Sequence, residues 1–190
     1  MISIICTILL FNILIILFKM FQKYNIDNLQ ALVFNYLTAA TCSYFLLEID
    51  FSLNYILQAE WIYHAIIIGT LFIIVFNFYS FGIQQVGISI TTVANKMSLI
   101  IPVCAALILY PENDRLTILT LVAFIFAIVG IFLSSTNGKK LSFNKKYLWL
   151  IVLVFFGQGL SDAIFNDFAQ SFSKVLEKES FLFFMTLFLM

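Results

Sequence analysis

The segment VGISITTVANKMSLIIPVCAALIL, residues 86–109, is long enough to cross a membrane, yet it carries a lysine, Lys96, near its middle. A membrane-spanning helix needs about 20 mostly apolar residues. Soluble domains are roughly 45–50% apolar and about a quarter charged, whereas this chain of 190 residues is 63% hydrophobic and 11% charged. So much apolar surface cannot be hidden in one water-soluble core, and the sequence therefore predicts a polytopic membrane protein.

Six apolar blocks have the length of a membrane span. They lie at about residues 2–21, 29–47, 60–81, 86–109, 116–135 and 147–166. A seventh begins near Ser180 and reaches Met190, about half of the length that a crossing requires. We expect an all-α integral membrane protein, a helical bundle of six full spans plus a partial seventh. The sequence then represents a fragment, a truncated reading frame or an unusual terminus.

The N-terminal block is better explained as a retained first span than as a signal peptide. It lacks a positive n-region and a small-residue cleavage site, and its first positive charge, Lys19, comes at the far end of the apolar run. The signal peptide is the alternative.

Several functional classes have no support in the sequence. The net charge is zero, which gives no indication of a nucleic-acid partner. The chain lacks HExxH, CxxC and GxSxG motifs and a phosphate-binding glycine loop, so we expect no enzyme activity, no cofactor and no metal site. His64 lies beside Trp61 and Tyr63 and is interpreted as a membrane-boundary residue, and Gly157 and Gly159 are expected to allow close helix packing.

Lys96 is the most costly residue in the predicted spans. A lysine at the centre of a membrane helix costs ~2.5–3.5 kcal/mol on insertion scales, and each interface is roughly 15 Å away at 1.5 Å per residue. We therefore expect Lys96 to face a polar or water-filled interior. Ser89, Thr92 and Asn95 share its helical face. Because Pro102 has no N–H, it should leave the Ser98 carbonyl as a spare acceptor and kink the helix.

Polar residues also interrupt other predicted spans, and they have two possible explanations. They are interhelical hydrogen-bonding groups, or they line one shared cavity, which the number of spans involved favours. The candidate cavity residues are Lys96, Asn95, Thr92, Asn77, Gln84, Asn35, Asn12, Gln158 and Asp162. In the cavity hypothesis, Lys96 is the counter-ion of an anionic solute and Asp162 is a coupling or gating carboxylate. In the alternative, the two form a structural salt bridge.

Residues 69–135 resemble the EamA-type transporters of the drug/metabolite transporter superfamily. The resemblance rests on a third span that leads by a tight turn into a span rich in small and hydroxyl residues, on the pair Pro102-Val103, on Glu112 just after that span, and on Gly130 late in the fifth. The sequence departs from the family pattern at Pro111 and Ala123, where the family usually has glycine.

The resemblance implies ten helices in two inverted five-helix repeats with a substrate cavity between them. Residues 1–135 would be the first repeat, 136–146 the loop between repeats, and 147–190 the incomplete start of the second. It implies a secondary transporter, often an exporter, of small metabolites in the plasma (cytoplasmic) membrane, with the lipid bilayer, a small-molecule solute and a homo-oligomeric copy or a missing C-terminal half as partners. Lys96 resembles the fourth-span lysine of nucleotide-sugar and sugar-phosphate carriers, which favours an anionic solute.

Two questions stay open at this point. The loop charges place six cations after spans one, three and five and three after the others, which predicts an external N-terminus, whereas the family usually has it inside. The alternative to a transporter is a non-transporting membrane scaffold or an inactive truncated remnant.

Overall fold

Every regular element in the described part of the chain is helical. The computed structural model describes residues 2–47, 53–109, 122, 125, 126, 129 and 145–189. In chain order the helices are α1 (Ile2–Lys23), α2 (Asn28–Phe45), α3 (Leu53–Gln58), α4 (Ile62–Gln85), α5 (Ile88–Met97), α6 (Ile100–Leu109), α7 (Leu148–Ser171), α8 (Ser173–Lys178) and α9 (Ser180–Leu189). A single 3-10 turn, Lys145–Tyr147, precedes α7. The predicted all-α class is confirmed for these residues.

In the part of the chain that the structure describes, four helical segments are long and apolar enough to cross a membrane. They are α1, α4, the α5–α6 pair taken as one span, and α7. Helix α2 has 18 residues, but its asparagines, glutamine and hydroxyl residues keep it out of this group, and α9 is a shorter apolar helix. The count of six full spans plus a partial seventh therefore stays a prediction.

The predicted fifth span lies largely outside the described residues. Of residues 116–135, the structure describes Val122, Ile125, Phe126 and Val129, which are helical and exposed. These four positions lie on one face of an α-helix. Pro111, Glu112, Ala123 and Gly130, which bear on the family resemblance, lie outside the described part.

Local backbone chemistry ends and starts the helices where the chain turns. After α1, Asn25 takes the left-handed conformation with φ 52°, and the Ile26 N–H donates to the Phe21 carbonyl at 2.9 Å, as at many helix C-termini. Asp27 then caps α2 by accepting the Gln30 N–H at 3.0 Å. Gly87, with φ 116°, makes the sharp turn between α4 and α5, a conformation that favours glycine.

The predicted kink in the fourth span is present, but the predicted spare acceptor is not. The helix breaks at Ser98 and Leu99, between α5 and α6. The Ser98 carbonyl accepts the Ile101 N–H at 2.9 Å, so the prediction of a free acceptor is wrong. The physical reason is that the backbone tightens before Pro102. The Ile101 N–H, three residues after Ser98, takes the Ser98 carbonyl to which proline has no N–H to donate.

Helix α4 is the central element and packs against α1, α2, α5, α7 and α9. We call the end of the bundle where α4 begins the first face, and the end with the Val86–Gly87 turn the second face. Helix α7 runs antiparallel to α4, since Trp149 packs on Phe78 at 6.1 Å between ring centroids and Asp167 approaches His64. Helix α9 starts near the first face, where Phe183 contacts Trp61 at 5.7 Å.

Inside a bilayer the hydrophobic effect does not drive helices together, because lipid tails are as apolar as the side chains. Membrane helices are held together by close packing instead. A Cβ on Gly157 would lie 2.9 Å from Val75 Cγ2 of α4, and one on Gly159 would lie 2.8 Å from Ile101 Cβ of α6. Both glycines therefore let α7 approach its neighbours, as the sequence predicted. At the first face, Phe168 and Phe183 stack with centroids 4.0 Å apart.

Candidate functional site

Lys96 lies on α5 with its ammonium over an aromatic ring. The Nζ atom is 4.3 Å from the centroid of Phe11 on α1, and the lysine side chain is otherwise exposed. A cation at this distance from a ring face is stabilised by ~0.5–1 kcal/mol at exposed sites and by about 2 kcal/mol or more where water is excluded. Phe11 therefore holds the lysine between α1 and α5.

The Phe11 ring is itself supported by α4. It stacks with Tyr79 at 6.5 Å between centroids, and Tyr79 is only 1% exposed. The Tyr79 hydroxyl lies 3.5 Å from Thr92 Oγ1 on α5. Thr92 precedes Lys96 by one helical turn, so the predicted shared face of these two residues is present in α5. Helices α1, α4 and α5 therefore meet next to Lys96, with Tyr79 of α4 in contact with both Phe11 and Thr92.

Helix α7 brings the carboxylate of the site. Gln158 Nε2 donates to Asp162 Oδ1 at 2.9 Å, one turn apart on the helix, and Lys96 is close enough to act on Asp162 electrostatically. Among the described residues, however, no carboxylate oxygen lies within 4.0 Å of Lys96 Nζ. The direct salt bridge that was the structural alternative is not formed in this arrangement, and the ammonium can accept an anion.

Asn77 adds an unsatisfied acceptor on α4. Its Oδ1 atom is buried and has no hydrogen-bond partner within the described ranges. The same holds for Thr91 Oγ1, which packs where α4 and α5 approach each other at Gly82. A buried polar atom without a partner costs about 1–3 kcal/mol, so each one calls for an explanation, such as a functional role or a bound ion.

Gln84 belongs to a separate polar network at the second face. Its Nε2 atom donates to Asn28 Oδ1 at 2.8 Å, to the Phe18 carbonyl at 3.1 Å and to Ser80 Oγ at 3.3 Å. Lys19 Nζ donates to the Gln84 carbonyl at 3.2 Å, a favourable place for a cation because a helix C-terminus is partly negative. These contacts tie α1 and α2 to the end of α4.

We expect Gln84→Leu to destabilise the protein by about 1–3 kcal/mol, because it leaves the buried Asn28 amide without its partner. Thermal unfolding of the purified protein should show a Tm lower by roughly 3–10 °C. Gln85→Leu is the matched control, since Gln85 is exposed and makes none of these contacts. Equal Tm values for the Gln84 and Gln85 variants would contradict a structural role for the network.

The remaining predicted site residues lie elsewhere. Asn12 is exposed and donates to the Ile8 carbonyl of its own helix at 2.8 Å. Asn95 is buried, and its backbone carbonyl accepts the Ser98 hydroxyl at 2.5 Å. Asn35 lines a cavity between α1, α2, α4 and α9. The structure thus gathers Lys96, Thr92, Gln158 and Asp162 into one region and places Gln84 and Asn35 in two others.

His64 has an ionisable neighbour that sequence reasoning missed. Its Nε2 atom lies 3.7 Å from Asp167 Oδ2 at the end of α7, and its ring packs on Phe172 at 5.3 Å. The pair joins α4 to α7 at the first face. The two residues are more than 100 positions apart in the sequence, so nothing local indicates the contact. The available signal was that a histidine and a carboxylate each lie near the end of a predicted span.

Phe11 and Tyr79 were also missed. Neither stands out by composition in a chain with 23 phenylalanines and 8 tyrosines. Tyr79 carried a weak signal, because a tyrosine near the end of the predicted span 60–81 needs a hydrogen-bond partner where its hydroxyl is buried. As for metals, the described residues contain no group of three or more His, Cys, Asp or Glu side chains that could hold an ion.

Within the described residues, the fold and site define a helical bundle that includes four helices able to cross a membrane and a lysine held between two of them. An uncharacterized protein of Haemophilus influenzae (strain ATCC 51907 / DSM 11121 / KW20 / Rd) is 33% identical to this chain over 162 residues. The match covers 82% of the chain and 55% of that protein, so the chain spans about half the length of its relative. No protein-family profile matches the sequence, and no solved structure matches it.

Proposed function

We propose that the chain forms part of a secondary transporter of a small anionic metabolite. The observation that supports this most directly is the setting of Lys96, a cation in a membrane-spanning segment that rests on the Phe11 ring and pairs with none of the carboxylates in the described residues. Membrane proteins retain such a costly charge mainly where it faces water or a ligand. A phosphate or carboxylate on the solute would supply the counter-charge.

The neighbouring groups suit the handling of a polar solute. The Thr92 hydroxyl can donate to an anion or accept from a solute hydroxyl, and the Gln158 amide offers a further donor once it leaves Asp162. Asp162 lies within electrostatic reach of Lys96, so binding of an anion to Lys96 would remove part of the attraction that stabilises the carboxylate. This linkage would make Asp162 a coupling or gating group.

The helix directions support an inverted-repeat architecture. Helix α1 runs from the first face to the second, whereas α7 runs from the second to the first, as its contacts with α4 indicate. Helix α6 ends towards the first face, and the 3-10 turn before α7 lies at the second. The chain between the end of α6 and the start of α7 must therefore cross an odd number of times, and the predicted fifth span would be one such crossing. The helices before it and those from α7 onward would then form two oppositely oriented units.

The exposed side of Lys96 would be closed by further helices in a working transporter. These helices would come from additional sequence of a longer protein, in keeping with the greater length of the relative, or from a second copy of the chain. On this proposal the protein is an EamA-type member of the drug/metabolite transporter superfamily in the plasma membrane. It moves its solute by alternating access, and in many members of that superfamily the direction is outward.

Water access to Thr92 tests the proposal without knowledge of the solute. Cys6, Cys42 and Cys104 are first replaced by alanine, and Thr92→Cys is then exposed, in intact membranes, to the water-soluble sulfonate reagent 2-sulfonatoethyl methanethiosulfonate. We expect modification at least about tenfold faster than at Ile67→Cys, because only a thiol in contact with water ionises and reacts. Ile67 is the control, as it is 48% exposed on the outside of α4.

The same experiment distinguishes the transporter hypothesis from the hypothesis of a non-transporting scaffold. A second variant that adds Lys96→Met should slow the reaction at Thr92→Cys, since the anionic reagent loses its attracting cation. If Thr92→Cys and Ile67→Cys are equally unreactive, the polar residues serve helix packing and the cavity proposal fails.

A further inference from the structure

A cavity of about 310 Å³ lies between α1, α2, α4 and α9, separate from the polar groups around Lys96. Its lining is dominated by six aromatic side chains, which are Phe18, Phe21, Tyr36, Phe72, Phe76 and Phe188. None of its described lining residues is charged. Small-molecule sites in proteins usually measure about 300–1,000 Å³ and combine an apolar lining with a few polar groups, so this cavity has the size and composition of a binding site.

Two polar side chains belong to the cavity. Asn35 lines it and is exposed, so its amide offers a donor and an acceptor at the opening. Tyr36 is 9% exposed, stacks on Phe188 at 5.6 Å, and has a buried hydroxyl with no hydrogen-bond partner in the described part of the chain. A ligand with one hydrogen-bonding group would be oriented by the Asn35 amide, while Tyr36 contributes its ring to the wall of the cavity.

We propose that the cavity binds an uncharged aromatic molecule that carries a single hydrogen-bonding group. Aromatic rings attract one another in stacked or edge-to-face geometry beyond the effect of buried area, which favours a flat aromatic occupant over a flexible acyl chain. A charged occupant is disfavoured, because burial of a charge without a partner is costly.

An aromatic wall separates this cavity from Lys96. Phe18 is 1% exposed and packs edge-on against Phe76 at 6.5 Å and Tyr79 at 6.0 Å. Tyr79 in turn stacks with Phe11 beneath the ammonium. The two sites are therefore neighbours with different chemistry, and binding in the aromatic cavity does not depend on transport of an anion.

The test uses benzophenone, an uncharged aromatic photo-crosslinker whose ketone is its single hydrogen-bonding group, and the full chain in lipid nanodiscs. We expect saturable labelling, which mass spectrometry assigns to residues around the cavity. Ala31→Trp fills the cavity from α2 and should lower labelling at least about tenfold, and Asn35→Leu should raise the half-saturating concentration about 3- to 10-fold. Leu37→Trp is the matched control, since Leu37 is exposed on the same helix and does not line the cavity.

Three results would overturn the proposal. The first is labelling that does not saturate, and the second is labelling that Ala31→Trp leaves unchanged, since either means that the probe partitions into lipid. The third is a combination of two observations: added oleate abolishes the labelling, and Asn35→Leu does not change it. The occupant of the cavity would then be an acyl chain. A Lys96→Met variant should bind the probe normally, so failure of the transport proposal and failure of this one are distinguishable.

Discussion

Lys96→Met abolishes solute transport while the protein still inserts and accumulates at near-normal levels; this is the result we expect if Lys96 binds an anion. Loss of one partner of a desolvated charge pair costs about 2–5 kcal/mol, which corresponds to a decrease of at least about 30-fold in transport rate at low solute concentration. Methionine keeps a long unbranched side chain that can still contact Phe11, so the change removes mainly the charge.

The measurement has two stages. A panel of carboxylates and phosphates is first screened for compounds that raise the Tm of the wild-type protein, since a ligand that binds the folded state stabilises it. Uptake of the stabilising compound into proteoliposomes is then compared between wild type, Lys96→Met and Lys96→Arg. The arginine variant retains the positive charge and should keep measurable transport.

Two outcomes would change the interpretation. If Lys96→Met takes up the solute as fast as the wild-type protein does, the lysine has no role in substrate binding. If Lys96→Met does not accumulate, a structural charge pair gains support, and it would be established by recovery of accumulation in Lys96→Met/Asp162→Asn, which removes both charges. The structure favours the substrate role, because no ion pair joins the two side chains within 4.0 Å.

Helix positions were predictable because they depend on local chemistry. The predicted spans near residues 2–21, 86–109 and 147–166 correspond to Ile2–Lys23, Ile88–Leu109 and Leu148–Ser171. The largest error is at the end of α7, where the helix runs on past Asn166 to Ser171. Backbone hydrogen bonding continues there through polar residues, whereas an apolar window ends with the apolar residues.

The candidate site was only partly predictable, because helical periodicity shows which residues share a face but not which helix that face meets. The grouping of Thr92 with Lys96 follows from their spacing, yet nothing in the sequence pairs Lys96 with Phe11. Gln84 and Asn35 were grouped with Thr92 as candidate cavity residues, but Gln84 bonds to Asn28 and Asn35 lines the aromatic cavity. Such assignments require the tertiary contacts.

We expect Gly159→Ala to destabilise the protein strongly, because α7 packs closely against α6 at this glycine. The added Cβ would lie 2.8 Å from Ile101 Cβ and still closer to the end of that side chain. Ile101 is β-branched and stiff at χ1, so α6 and α7 must move apart. We expect a loss of about 2–3 kcal/mol, typical of overpacking, and a Tm lower by roughly 5–10 °C.

Gly157→Ala is the matched control on the same helix. Its Cβ would meet Val75 Cγ2 at 2.9 Å but would stay 3.9 Å from Val75 Cβ, so a smaller separation of the helices relieves the contact and the effect should be the smaller of the two. The double variant Gly159→Ala/Ile101→Gly should be no less stable than Ile101→Gly alone, because Ile101→Gly removes every side-chain atom that the added methyl group would meet, Cβ included, and the two changes are coupled through one contact. Additive losses in that double variant would show that Gly159 matters for a reason other than its approach to α6.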